Sequence, residues 1–155
     1  MAEVFKKTFQ VRWGEMDFNA HMRNTAYLDV AGDVRMIYFQ EHGFSMREFE
    51  RLRVGPVILR DELDYYRELR LLDSYDVTLS AAGLSPDASR FRLRNEYIRS
   101  DGKPIARATS IGAWLDLAAR RLVRPPDELA ELLRSLPRSS DFEQLESTVR
   151  DSNGG

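Results

Sequence analysis

The chain contains no cysteine among its 155 residues and only two histidines. Without thiols there is no disulfide framework, no thiolate nucleophile and no thiolate metal site. His21 and His42 do not stand at a ligand spacing, so neither a metal nor a cofactor is expected. Also missing are a Gly-x-Ser-x-Gly elbow, a phosphate-binding glycine loop, a dinucleotide glycine fingerprint and a His-Glu-x-x-His motif. No apolar run approaches the roughly 20 residues of a membrane span, and the first residues, Met1 to Lys7, lack the apolar core of a signal peptide. Positive charge is not in excess: 23 Lys and Arg face 25 Asp and Glu, so no basic field favours nucleic acid. The expectation is a cytoplasmic protein that binds neither nucleic acid nor membrane.

What is present is patterned. Hydrophobic residues make up 43% and charged residues 31%, enough for one globular domain. Phe5, Lys7, Phe9, Val11 and Trp13 alternate with Lys6, Thr8, Gln10 and Arg12, which predicts a strand that Gly14 ends. From Asn24 to His42 the period changes. Tyr27, Val30, Ala31, Val34, Ile37 and Tyr38 recur at helical spacing, while Asp29, Asp33 and Arg35 face elsewhere. Asn24 is a candidate N-cap and Gly43 a candidate left-handed C-terminal residue. Gly32 in the helix costs about 1 kcal/mol relative to Ala unless something packs closely there.

Further along, Tyr75 to Ala81, Phe91 to Tyr97 and Ile105 to Leu117 alternate as strands. Ser100-Asp101-Gly102-Lys103 marks a hairpin between the last two. Residues 57–69 suit a strand or a helix equally on periodicity. Pro125-Pro126-Asp127-Glu128 opens a short helix carrying Leu129, Leu132, Leu133 and Leu136. The reading is one α+β domain over residues 1–137, followed by a polar, flexible tail over 138–155.

Chemistry concentrates between the first strand and the long helix. Asp17 and His21 share a turn, close to a helix N-terminus whose backbone N–H groups and dipole favour negative charge. Taken alone, Asp17 also suits a plain Asx-turn and His21 a hydrogen-bonding turn residue.

The block Trp13-Gly14-Glu15-Met16-Asp17, followed by His21, Asn24 and Tyr27, resembles hotdog-fold acyl-CoA thioesterases of the 4-hydroxybenzoyl-CoA thioesterase type. The run from Asp116 to Pro126 is similar to the basic, proline-terminated end of that family's last strand, and the resemblance covers roughly residues 4–135. It departs from the family pattern at Glu15 for an Asp, Ala20 and Leu72 for glycines, and Arg23 for an Asn.

The resemblance implies a hotdog fold: an antiparallel five-stranded sheet wrapped around a long central helix at about 24–42, with residues 57–69 as a strand and a short C-terminal helix. It implies hydrolysis of acyl-CoA or acyl carrier protein thioesters. Asp17 would be the nucleophile or general base, the Asn24 backbone N–H the oxyanion donor, and His21 a support. Tyr27 and Phe18 would line the acyl pocket, Arg90 and Arg121 would meet the coenzyme A phosphates, and the chain would form a homodimer or homotetramer. Two alternatives remain open: an (R)-specific enoyl-CoA hydratase of the same fold, because Asp17-Phe-Asn-Ala-His21 nearly matches its signature, and a non-catalytic acyl-CoA-binding regulator.

Overall fold

The opening alternation becomes strand β1 (Phe5–Gln10), with Phe5, Lys7 and Phe9 half-buried and the residues between them exposed. The structure, a computed structural model, describes residues 3–150; the last five residues of the expected tail lie outside the described residues. Trp13 does not extend β1. It sits 79% exposed in a 3₁₀ turn (Trp13–Glu15).

Helix α1 (Ala26–Glu41) follows the predicted period but is shorter than the expected 24–42, about 24 Å long at 1.5 Å per residue. Tyr27, Val30, Ala31, Val34 and Tyr38 are buried as expected, while Ile37 is only half-buried and Phe39 enters the core. Gly43 closes the helix at φ 92°. Two expectations fail here. The N-cap is Thr25 rather than Asn24, and its side chain makes no capping bond. Arg35, expected to face away, folds under the helix with Nη1 donating to the buried Ser110 Oγ at 3.0 Å. Its guanidinium also covers Gly32, where an added Cβ would stand 3.9 Å from Nη2.

A second helix, α2 (Met46–Leu52), went unread in the sequence; Ser45 caps it, accepting from the Glu48 N–H at 3.2 Å. The ambiguous segment is a strand, β2 (Val54–Tyr65). Then come β3 (Ser74–Leu84), β4 (Arg90–Arg99) and β5 (Pro104–Asp116), with the predicted hairpin closed by Arg99 N–H donating to Lys103 O at 3.0 Å. β6 (Arg121–Val123) folds back on β5, and α3 (Asp127–Ser135) follows it.

The sheet order is β1-β3-β4-β5-β2, the five strands expected, all antiparallel. Two more join it. β6 pairs with β5, and β7 (Arg138–Gln144) pairs in parallel with β3, so the expected flexible tail begins as a strand. Its sequence Arg138-Ser-Ser-Asp-Phe-Glu-Gln144 is too polar to announce burial; Phe142 alone packs against the core. α1 lies on β1, β3 and β5 and leaves β2 largely uncovered.

The core centres on Trp114 of β5, stacked on Phe49 at 6.1 Å and met by Phe39 and Phe91. Among the described residues, no helix is long and apolar enough to cross a membrane. One glycine is fixed by contact: a Cβ on Gly112 would strike the Phe91 ring and stand 2.6 Å from the Val57 carbonyl oxygen. Because backbone cannot yield cheaply, Gly112→Ala is expected to lower stability by about 3 kcal/mol, at the upper end of overpacking costs. Urea unfolding would measure it.

Candidate active site

The chain leaving β1 is held by a buried carboxylate before it reaches Asp17. Glu15, 6% exposed, accepts from the Arg12 backbone N–H at 2.9 Å. The loop then closes on itself: Asp17 N–H donates to His21 O at 2.8 Å, and Met22 N–H donates to Leu69 O at 2.8 Å, tying it to the β2–β3 connection. Asp17 uses one oxygen locally. Its Oδ1 accepts from the N–H groups of Asn19 at 2.8 Å and His21 at 3.3 Å, the Asx-turn that its type favours.

The other oxygen is placed for chemistry. Oδ2 lies 3.1 Å from His21 Nδ1, and both side chains keep about a quarter of their surface exposed, 25% and 27%. His21 Nε2 lies 3.7 Å from Glu68 Oε1. A carboxylate, an imidazole and a second carboxylate therefore run in line from the turn to the β2–β3 loop. Glu68 had no signal in the sequence, because its segment reads equally as helix or strand.

Asn24 stands at the mouth of α1. Its carbonyl accepts from Tyr65 Oη at 2.9 Å, and its N–H has no hydrogen-bond partner among the described residues. Tyr27 follows one turn later, 3% exposed and in edge-to-face contact with Tyr65 and Tyr97, each at 5.3 Å. Burial, reinforced by Tyr65, Asp17 and Glu68, pushes the Tyr27 hydroxyl up to about 12, so it stays a neutral phenol. Tyr97 Oη donates to the Tyr27 carbonyl, and burial pushes its own titration upward as well.

Asp17 and His21 are thus in contact, and Asn24 and Tyr27 are joined through Tyr65 at the start of α1. Phe18 shares the turn but is fully exposed. Arg90 and Arg121 are not brought in within this chain. Tyr97 pairs with Ala106, whereas Arg90 pairs with Ala113 and Arg121 with Asp116, which places them roughly 23 and 33 Å along β5 at strand rise. The cations nearer to His21 line a surface hollow of about 480 Å³ formed by Arg67, Glu68, Arg70, Asp73 and Arg99.

Two of the departures from the family pattern fall on left-handed backbone. Ala20 has φ 66° and Leu72 φ 67°, the left-handed region that glycine enters freely. Arg23 bridges the turn to the helix, donating to the Gly14 carbonyl and, at 3.1 Å, to Thr25 Oγ1.

A family model described as the thioesterase-like superfamily matches residues 11–133. Among solved structures, a hypothetical protein of Staphylococcus aureus in complex with CoA is 25% identical, with 88% of each chain covered and a TM-score of 0.79. A 1,4-dihydroxy-2-naphthoyl-CoA thioesterase from Synechocystis is 15% identical, covering 85% of this chain and 96% of that one, with a TM-score of 0.76. A gentisyl-coenzyme A thioesterase is 18% identical, covering 81% and 98%, with a TM-score of 0.72. Among curated proteins nothing matches.

A left-handed non-glycine residue costs about 1–2 kcal/mol, and a glycine returns about 0.4–1 kcal/mol of that through unfolded-state entropy. Ala20→Gly and Leu72→Gly are therefore each expected to stabilise the fold, by about 0.5–1 kcal/mol net. Thermal melts of the two variants would check this.

Proposed function

The chain belongs to the thioesterase-like superfamily, and from that premise we propose that it hydrolyses acyl-CoA thioesters to the free acid and CoA. The observation that carries the reading is Asp17, a quarter exposed, with Oδ2 3.1 Å from His21 Nδ1, on the loop that leads to an Asn24 N–H without a partner among the described residues.

A thioester carbonyl is electrophilic and its thiolate leaves readily, so a carboxylate suffices without a full triad. Asp17 takes a proton from the attacking water, or attacks the carbonyl carbon itself to give an anhydride that water then hydrolyses to the free acid, regenerating Asp17. The carbonyl oxygen gains charge and is met by the Asn24 N–H at the positive end of α1. As the C–S bond breaks, the sulfur leaves as thiolate and is protonated. His21 holds Oδ2 in place, and Tyr27, uncharged, lines the acyl side.

The carrier end is CoA, in keeping with the CoA bound to the S. aureus neighbour; an acyl carrier protein thioester presents the same carbonyl. The phosphates need cations, and those of one chain divide between the nearby Arg67, Arg70 and Arg99 and the distant Arg90 and Arg121. A dimer reconciles the two sets. β2 pairs on one side only, with Leu59 51% and Tyr65 47% exposed. An open edge of twelve residues favours pairing with a second copy. Two copies joined there, or two such dimers, form the working unit.

Free-thiol release from a panel of aliphatic and aromatic acyl-CoAs tests the proposal. Asp17→Asn is expected to lower kcat by about 10²–10⁴-fold, the span of a lost general base, with an unchanged melting temperature. Equal turnover by the two proteins would refute the role of Asp17. Hydration of crotonyl-CoA without thiol release would make the protein a hydratase, and saturable binding with neither reaction a regulator.

A further inference from the structure

The last described segment of the chain covers arginines that the proposed mechanism does not use. β4 alternates Arg90, Arg92 and Arg94 with the buried Phe91, Leu93 and Asn95, so the three guanidinium stems share the sheet face opposite those core residues, about 6.6 Å apart. Arg94 is only 8% exposed. Its Nη1 donates to Asp141 Oδ1, and Arg92 Nη1 donates to Glu143 Oε1 at 2.6 Å. The burial is lopsided. The cations are sheltered, whereas the Asp141 and Glu143 side chains are 58% and 63% exposed.

The backbone ladder that holds this segment is interrupted. Between Ala81↔Arg138 and Gly83↔Glu143 the register advances two residues on β3 and five on β7, so residues 139–142 bow out of the ladder. Beyond it, the chain crosses Gly83 so closely that a Cβ there would meet Leu145 Cγ at 3.0 Å and Glu143 O at 3.1 Å. It ends on the β3–β4 turn, where Thr148 N–H donates to Ser89 Oγ at 3.0 Å and Ser147 Oγ donates to Asp87. The five-strand path from β1 to β2 is complete without it.

We propose that Arg92 and Arg94 form a binding surface for phosphate groups and that residues 138–149 are its displaceable occupant, Asp141 and Glu143 standing where phosphate oxygens bind. A guanidinium fork accepts carboxylate and phosphate with the same geometry, and phosphate brings more charge. A tethered carboxylate competes at an effective concentration of order millimolar, so a single weak anion is excluded and a ligand with several phosphates prevails. CoA carries three phosphate groups. Its assignment as the ligand rests on the proposed thioester hydrolysis, whereas inorganic diphosphate supplies the same chemistry without a thioester.

The test follows hydrogen–deuterium exchange of residues 138–149 in the full chain with CoA, with inorganic diphosphate, or with sodium chloride at matched ionic strength. Both phosphate ligands are expected to speed exchange by about threefold or more over chloride, which only screens. By calorimetry, Asp141→Asn with Glu143→Gln should bind CoA about threefold or more tightly, because its tethered competitor is weakened. Arg92→Gln with Arg94→Gln should lose the phosphate response. Equal exchange in phosphate and chloride, or unchanged CoA affinity in the Asp141/Glu143 variant, overturns the proposal. Release by diphosphate but not by CoA overturns the assignment to the carrier. The diphosphate arm contains no thioester, so its result stands apart from whether Asp17→Asn abolishes hydrolysis.

Discussion

Two phenol hydroxyls hold the start of α1 to the sheet, and the site inherits its geometry from them. Tyr65 Oη donates to the Asn24 carbonyl and Tyr97 Oη to the Tyr27 carbonyl. Both bonds engage backbone at the first turn, so they set where the helix begins and which way its free N–H groups point. Burial keeps the two donors in their protonated form by pushing both hydroxyls upward. Once the helix start is fixed, the Asp17 loop has little freedom. It is pinned in front by Glu15 on the Arg12 N–H and behind by Met22 on Leu69. Placement of the carboxylate is a property of strands and helix together, with the turn as the last link.

A second polar chain ties the far half of the helix to the edge of the sheet. Arg35 donates to Ser110, and Ser110 donates to Asp61 on β2 at 2.6 Å. Burial lowers the Arg35 titration, Asp61 partly restores it, and the side chain remains a cation in any event. A charge carried on the helix is thus neutralised from the edge strand β2, which links the position of β2 to the packing of α1.

Periodicity made much of the fold legible, because α1, β3, β4 and β5 each bury one regular face. Elements held by polar contacts were not. α2 is one short turn pair fixed by Ser45, and β7 shows a single apolar residue, Phe142, to a reader looking for alternation. At the site, Asp17, His21, Asn24 and Tyr27 were legible from one contiguous block, since their spacing is local. Tyr65 and Glu68 were not, because they arrive from a segment some forty residues later. Asn24 was assigned the cap on residue type alone, yet the backbone turns one residue further on, at Thr25. Ala20 and Leu72 show the reverse: where the resembled family pattern has glycine, this chain holds other residues on a left-handed backbone. The geometry is kept here without the residue that accommodates it most easily.

The outer edge of β3 is divided between the first strand of the chain and the last. β1 takes Ser74 to Leu79, and β7 takes Ala81 to Leu84. Neither β1 nor β7 can complete its ladder until β3, in the middle of the sequence, is there to receive it. During synthesis β1 emerges some seventy residues ahead of the template it pairs with, at roughly 5–20 residues per second, and β7 follows well after that template. The alternating face of β1 spends that interval without a partner, which gives its lysines, Lys6 and Lys7, a second use: charge that keeps a waiting strand from pairing with its neighbours.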